Sequence, residues 1–134
     1  ILYSHMLMDY DGDKNANKTT LCTKFKNKDD ALKLILFFYG FSYILLEFYI
    51  YKTGNYLYLL NYITIPLVLD LYNMLKKYNQ NPMSLPKVQF WHQPLENWDK
   101  VKTTSNAPFY LRFFFARNIS TIFMLLTCVA IIFG

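Results

Sequence analysis

The sequence predicts an all-α fold, a polytopic bundle of transmembrane helices, and three observations support it. The 134 residues are 54% hydrophobic and 19% aromatic. The apolar residues stand in long blocks, and a helix that is apolar on every side is either deeply buried or exposed to lipid. The basic residues are concentrated in the polar segments between these blocks. A soluble domain of this length is too small to bury three such helices completely.

The blocks divide the chain into membrane segments and polar loops. An α-helix of about 20 residues spans the roughly 30 Å of hydrocarbon in a bilayer. Pro66 predicts a kink inside one of these helices. The apolar run begins abruptly at Ile1, which predicts a fragment of a longer protein. The predicted order is the end of a transmembrane helix (1–8), an aspartate-rich loop (9–30), two transmembrane helices (31–51 and 55–75), a second polar loop (76–110) and a last transmembrane helix (112–134).

The distribution of lysine predicts which loops face the cytoplasm. The connection between the two middle helices holds only Lys52, whereas each long loop holds five lysines. Because cytoplasmic loops carry an excess of Lys and Arg, both long loops are expected to be cytoplasmic. This pattern also accounts for the net charge of +5 without a nucleic-acid partner. The lysines of the long loops are Lys14, Lys18, Lys24, Lys26 and Lys28, then Lys76, Lys77, Lys87, Lys100 and Lys102.

An acidic motif follows the first apolar segment. Asp9, Asp11 and Asp13 stand within five residues. If the helix continues through them, Asp9 and Asp13 share a face, and His5 lies one turn earlier on it. Two carboxylates on one face repel each other unless a cation lies between them. Mg²⁺ prefers oxygen ligands of this kind, with water and phosphate oxygens completing its coordination.

The acidic motif has two alternative interpretations. A calcium loop requires a glycine at its sixth position and a bidentate glutamate at its twelfth. Here these positions hold Lys14 and Thr20, which excludes this loop. A solvated, charged helix end without any ligand is the second alternative, and the spacing alone leaves it open.

The residues Asp9-x-Asp-x-Asp13-Lys14-x-Ala-x-Lys18-x-Thr20-Leu21 resemble the second aspartate-rich motif of the UbiA superfamily of intramembrane prenyltransferases. A later loop with Pro94-Leu-Glu96-Asn97-Trp98 is similar to the menaquinone-type branch, which acts on 1,4-dihydroxy-2-naphthoate. The resemblance covers almost the whole chain and implies the C-terminal part of a nine-helix fold. It also implies Mg²⁺-dependent transfer of a polyprenyl group from its diphosphate to an aromatic acceptor.

The resemblance assigns roles to individual residues. Asp9 and Asp13 are the expected catalytic metal ligands, with Asp11 as an auxiliary ligand. Lys14 and Lys18 are expected to bind the diphosphate. His5 is the nearest candidate for a general base, although a lone histidine at a helix end is more often structural. The remaining candidates for the pocket are Arg112 and Arg117, for which anchoring of the chain to anionic lipid is the alternative role.

The sequence departs from the family pattern at three points. Asn17 stands where the family usually has a glycine, and Lys26 stands where another glycine often closes the segment. A glycine at such a place serves a positive φ. The family's first aspartate-rich motif is absent, so the chain alone is expected to be inactive.

The predicted partners are a polyprenyl diphosphate, a hydroxynaphthoate-like acceptor and the lipid bilayer. The predicted location is a bacterial plasma membrane or an organellar membrane. The alternative function is that of a non-catalytic membrane subunit or anchor with a solvated charged loop.

Overall fold

The computed structural model describes all 134 residues, which form helices and connecting loops without any β-strand. The predicted all-α class is therefore confirmed. The elements are α1 (Leu2–Met8), α2 (Tyr10–Asn15), α3 (Lys28–Thr53), a long 3₁₀ helix (Tyr56–Thr64), α4 (Ile65–Gln80), a short 3₁₀ helix (Phe90–His92), α5 (Trp98–Val101) and α6 (Ala107–Phe133).

The ends of α3 are determined by local side chains. The Asn27 side chain accepts a hydrogen bond from the amide of Asp30 at 2.8 Å, which satisfies a free donor at the helix start. Gly54 ends the helix with φ +70°, a left-handed conformation that glycine adopts without steric cost. This helix therefore begins three residues before the predicted transmembrane segment and ends two residues after it.

The second predicted crossing, 55–75, is not one continuous α-helix. Tyr56–Thr64 forms the long 3₁₀ helix, and an α-helix begins only at Ile65. Pro66 lies in the first turn of α4, where its missing N–H breaks no hydrogen bond. The predicted proline kink is thus a helix start.

The long 3₁₀ helix and α4 run antiparallel to α6. The Asn55 amide donates to the carbonyl oxygen of Ala130 at 2.7 Å, near one end of α6. Arg112 donates to the carbonyl oxygen of Met74 at 2.8 Å, near its other end. Roughly 27 Å of α-helix separates Arg112 from Ala130. Together the 3₁₀ helix and α4 therefore accompany α6 over about the thickness of a hydrocarbon core.

Two helices are long and apolar enough to cross a membrane, namely α3 and α6. Only 17% of the most apolar window of α3 and 28% of that of α6 are buried inside the protein. A core helix of a soluble protein would be mostly buried. Large apolar side chains such as Phe37, Ile44 and Phe48 lie on the surface of α3 instead. These exposed apolar faces indicate membrane association.

The hydrophobic core lies at the end of the bundle that carries the acidic motif. A cluster of 17 buried residues joins α1, α2 and the adjoining halves of α3, α4 and α6. At the opposite end only Leu46, Ile50, Tyr58 and Ala130 form a buried cluster. Internal packing therefore positions the acidic motif.

Candidate functional site

The backbone continues in helical geometry through the acidic motif. The amide of Asp9 donates to the carbonyl oxygen of His5 at 3.1 Å, and that of Asp13 donates to Asp9 at 2.9 Å. These are the i to i−4 bonds of an α-helix, although α1 and α2 meet at a bend at Asp9. His5, Asp9 and Asp13 therefore stand one turn apart, as the spacing predicts.

Each of the three carboxylates has a different basic side chain as its partner. Nδ1 of His5 lies 3.1 Å from Oδ2 of Asp9. Nζ of Lys18 lies 3.5 Å from Oδ1 of Asp13, and Lys28 forms an ion pair with Asp11. No three His, Cys, Asp or Glu side chains converge in metal-binding geometry.

A Schellman motif positions Lys18 beside Asp13. The amide of Asn17 donates to the carbonyl oxygen of Lys14 at 3.1 Å, and that of Lys18 donates to Asp13 at 2.8 Å. Asn17 has φ +54°, the left-handed conformation that this motif requires after a helix. The position where the family usually has glycine thus has a positive φ, which asparagine tolerates better than most residues. Lys26 has no positive φ, so the other missing glycine is not needed for backbone geometry.

The two lysines of the motif face different surroundings. Lys18 is exposed beside Asp13, so its ammonium group can reach a ligand there. Nζ of Lys14 lies 5.2 Å from the ring centroid of Tyr10 and donates to its hydroxyl at 3.2 Å. It also reaches the carbonyl oxygen of Lys26 at 3.5 Å. Lys14 therefore supports the loop around Tyr10 in this arrangement.

Asp9 borders a cavity of about 500 Å³ between the ends of α4 and α6. Its walls combine aromatic rings, including those of Phe109 and Tyr110, with the polar groups of Ser105 and Asn106. The His5 ring packs edge-on against Phe109 at a centroid distance of 5.2 Å. Among the three carboxylates of the motif, Asp9 is the one that faces this cavity.

Tyr78 lies in the same cavity wall, and the guanidinium carbon of Arg112 lies 4.9 Å from the centroid of its ring.

The residues present fit Mg²⁺ bound through one or two carboxylates. A closed protein cage of three or more ligands does not fit, because the three aspartates do not converge. Mg²⁺ usually keeps several waters and is held by one or two carboxylates together with substrate phosphates. Asp9 and Asp13 are the residues that would hold it.

Arg112 occupies a different place from the one predicted. Its side chain is fully buried, with Nη1 donating to Pro108 O at 2.7 Å and Nη2 to Ser84 O at 3.0 Å. Nε donates to Met74 O. All three nitrogens of Arg112 donate to carbonyl oxygens of the protein itself. Arg112 therefore joins α6 to α4 and to the loop after α4, and it is not a pocket residue. Arg117 pairs with Glu96 at 3.3 Å, outside the cavity of Asp9.

A second polar cluster lies on the other side of α4. Oδ2 of Asp70 accepts from Nε1 of Trp91 at 2.9 Å and lies 3.0 Å from Nε2 of His92. Nδ1 of His92 accepts from the amide of Gln89 at 3.1 Å, which leaves Nε2 as the protonated nitrogen that donates to Asp70. The signal in the sequence was an acidic residue inside an apolar helix block, which is usually paired.

No family model matches this chain, and neither a curated protein nor a solved structure matches it significantly. The resemblance to the UbiA superfamily therefore depends on the motif residues themselves.

Proposed function

We propose that the chain is the C-terminal part of a UbiA-type prenyltransferase that transfers a polyprenyl group to an aromatic acceptor of the hydroxynaphthoate type in quinone biosynthesis. The observation that carries the proposal is the placement of Asp9 and Asp13 one helical turn apart, with Asp9 at the mouth of an aromatic and polar cavity. The positive φ of Asn17, where the family motif usually has glycine, agrees with the motif at the level of the backbone.

The reaction breaks the bond between the allylic carbon and the diphosphate oxygen, and the diphosphate leaves with the electron pair. A ring carbon of the acceptor forms the new carbon–carbon bond, and the ring loses a proton. Bound Mg²⁺ supplies neutralisation of the leaving-group charge. Asp9 and Asp13 would hold the metal, and the exposed ammonium group of Lys18 would contact the diphosphate directly. His5, which lies 3.1 Å from Asp9, is the candidate base for the ring proton.

The proposed topology has three crossings after the acidic loop, namely α3, the 3₁₀ helix with α4, and α6. The antiparallel contacts between Asn55 and Ala130 and between Met74 and Arg112 support the middle crossing. Polar side chains inside the bundle bond across these segments, as in other membrane bundles: Tyr43 bonds to Thr64 at 2.7 Å. The acidic motif then faces the cytoplasm.

A second candidate function is a non-catalytic membrane subunit. The observation that favours it is the separate pairing of each carboxylate with its own basic side chain, because such pairs need no ligand. The two functions differ in whether Mg²⁺ and a diphosphate bind at the acidic motif.

Transfer of a radiolabelled prenyl group by the complete protein tests the proposal. Asp9→Asn and Asp13→Asn are expected to lower Mg²⁺-dependent transfer by at least a hundredfold while expression in the membrane is unchanged. Asp29→Asn is the matched control, since Asp29 is exposed in the first turn of α3 and forms no ion pair. Unchanged transfer in both motif variants would contradict the catalytic assignment of Asp9 and Asp13, and absence of transfer by the unmodified protein would favour the non-catalytic subunit.

A further inference from the structure

The loop after α4 exposes apolar side chains at one end of the bundle. Phe90 is 83% exposed, and Trp91 is 38% exposed although its indole nitrogen is bonded to Asp70. Met83 and Leu85 are also exposed in the same loop. Exposed apolar side chains that are close together mark an interaction surface more often than isolated ones do.

Hydrogen bonds hold this loop against the bundle. Arg112 donates to the carbonyl oxygen and, at 3.3 Å, to the hydroxyl of Ser84. Asp70 accepts from both Trp91 and His92. Phe90 is therefore exposed on a backbone that hydrogen bonds already hold in place. Binding of this loop to another surface then costs little conformational entropy.

The depth of the loop in the bundle is set by Asn118. Its side-chain amide donates to the carbonyl oxygens of His92 and Pro94, both at 2.9 Å. Asn118 is also the residue at which the charge-free run of α6 begins, directly after Arg117. If α6 crosses the membrane with this run, the short 3₁₀ helix Phe90–His92 lies at the boundary between headgroups and hydrocarbon. Aromatic residues, tryptophan above all, are enriched at that boundary.

Two lysines lie beside these aromatic residues. Lys77 and Lys87 border a cavity of about 240 Å³ that Trp91 and His92 also line. Neither lysine forms an ion pair, and both are exposed. Asp70 in the same cavity is already bonded to Trp91 and His92 and leaves a net positive lining. Unpaired lysines at a membrane surface attract anionic lipid, by about 1 kcal/mol for each one.

We propose that Lys77, Lys87, Phe90 and Trp91 form an interfacial anchor, in which the aromatic side chains insert at the headgroup boundary and the lysines bind the phosphates of anionic lipids. The anchor rests on α3 and α6 crossing a membrane and does not depend on prenyl transfer. It fixes the end of α4, and with it the wall of the cavity beside Asp9, relative to the membrane plane.

Tryptophan fluorescence in vesicles tests the anchor. In a Trp98→Phe background, Trp91 is the only tryptophan, and the chain is reconstituted in phosphatidylcholine vesicles with or without phosphatidylglycerol. Lipids brominated near the headgroup end of the acyl chain are expected to quench Trp91 at least twofold more than lipids brominated near the chain end. Phosphatidylglycerol is expected to strengthen this quenching.

Charge variants distinguish a specific effect of Lys77 and Lys87 from a general effect of positive charge. Lys77→Gln with Lys87→Gln is expected to abolish the response to phosphatidylglycerol. The matched control, Lys24→Gln with Lys26→Gln, removes the same charge from the other loop and is expected to keep it. Absence of quenching by either brominated lipid, together with full quenching by aqueous iodide, would overturn the anchor.

A third measurement distinguishes binding of lipid phosphates from binding of free phosphate. Inorganic phosphate added to the detergent-solubilised chain is expected to leave the Trp91 emission unchanged. A shift as large as that caused by phosphatidylglycerol vesicles would overturn the assignment to lipid. This experiment does not measure prenyl transfer. A negative result for the anchor therefore leaves the proposed function untouched, and a negative result with the aspartate variants leaves the anchor untouched.

Discussion

The amide of Asp13 donates to the carbonyl oxygen of Asp9 at 2.9 Å, so a helical hydrogen bond joins the two residues although α1 and α2 meet at a bend at Asp9. The side chains nevertheless have separate partners, since Asp9 lies beside His5 and Asp13 lies beside Lys18. A metal held by Asp9 and Asp13 would replace both contacts. Because Lys18 is 68% exposed, its pair with Asp13 is screened by solvent and contributes no more than about 1 kcal/mol, so its replacement would oppose metal binding little.

The conformation of Asn17 gives the first prediction. Because Asn17 has φ +54°, Asn17→Ala is expected to destabilise the loop by about 1 kcal/mol, whereas Asn17→Gly is expected to be nearly neutral. Thermal unfolding in detergent measures the difference. Equal effects of alanine and glycine would show that the backbone at this position is not left-handed.

Arg112 gives the second prediction. Arg112→Met keeps much of the buried volume but leaves the carbonyl oxygens of Met74 and Ser84 without their donor. We expect a loss of about 3 kcal/mol in the free energy of unfolding. Arg117→Met is the control, because its pair with Glu96 is partly exposed and is worth less than about 1 kcal/mol. A smaller loss for Arg112→Met than for the control would contradict the structural role.

The buried thiol of Cys22 gives a prediction for pH. Burial raises its pKa above the ordinary value of 9.0. Because the folded state favours the protonated thiol, its contribution to stability is complete below pH 9.0 and is lost as the pH rises through the raised pKa. Maleimide labelling at neutral pH is expected to be at least tenfold slower at Cys22 than at the exposed position of a Lys24→Cys variant, by peptide mass spectrometry. Comparable rates would show that Cys22 is accessible.

Thiol labelling also tests the topology. Single cysteines are placed at Lys24, Lys52 and Lys76 in a chain that carries Cys22→Ala and Cys128→Ala. A membrane-impermeant reagent added outside is expected to label the cysteine at position 52 alone, and all three after permeabilisation. Labelling of positions 24 and 76 on opposite sides would show that the 3₁₀ helix and α4 do not cross.

Part of this structure follows from local patterns. The apolar blocks predict α3 and α6 because a helix of this length without charged faces has few other environments. The spacing of Asp9 and Asp13 predicts their common turn for the same local reason. The predicted kink at Pro66 is wrong. A proline within an apolar run is compatible with a kink or with a helix start, and only the packing of the preceding 3₁₀ helix decides between them.

Long-range contacts account for the features that the sequence did not predict. Arg112 can be buried only because carbonyl oxygens from α4 and from the loop at Ser84 accept its hydrogen bonds. Asp70 stands as an acidic residue in an apolar block, but its partners Trp91 and His92 follow 21 and 22 residues later. No periodicity connects such distant positions.

Metal-dependent ligand binding tests the central proposal most directly. Calorimetric titration of the complete protein with a prenyl diphosphate is expected to show binding in Mg²⁺ that EDTA abolishes. Asp9→Asn with Asp13→Asn is expected to weaken this binding at least tenfold, and Asp29→Asn is expected to leave it unchanged. Equal, metal-independent binding by all three proteins would contradict the assignment of Asp9 and Asp13 to a metal-bound diphosphate.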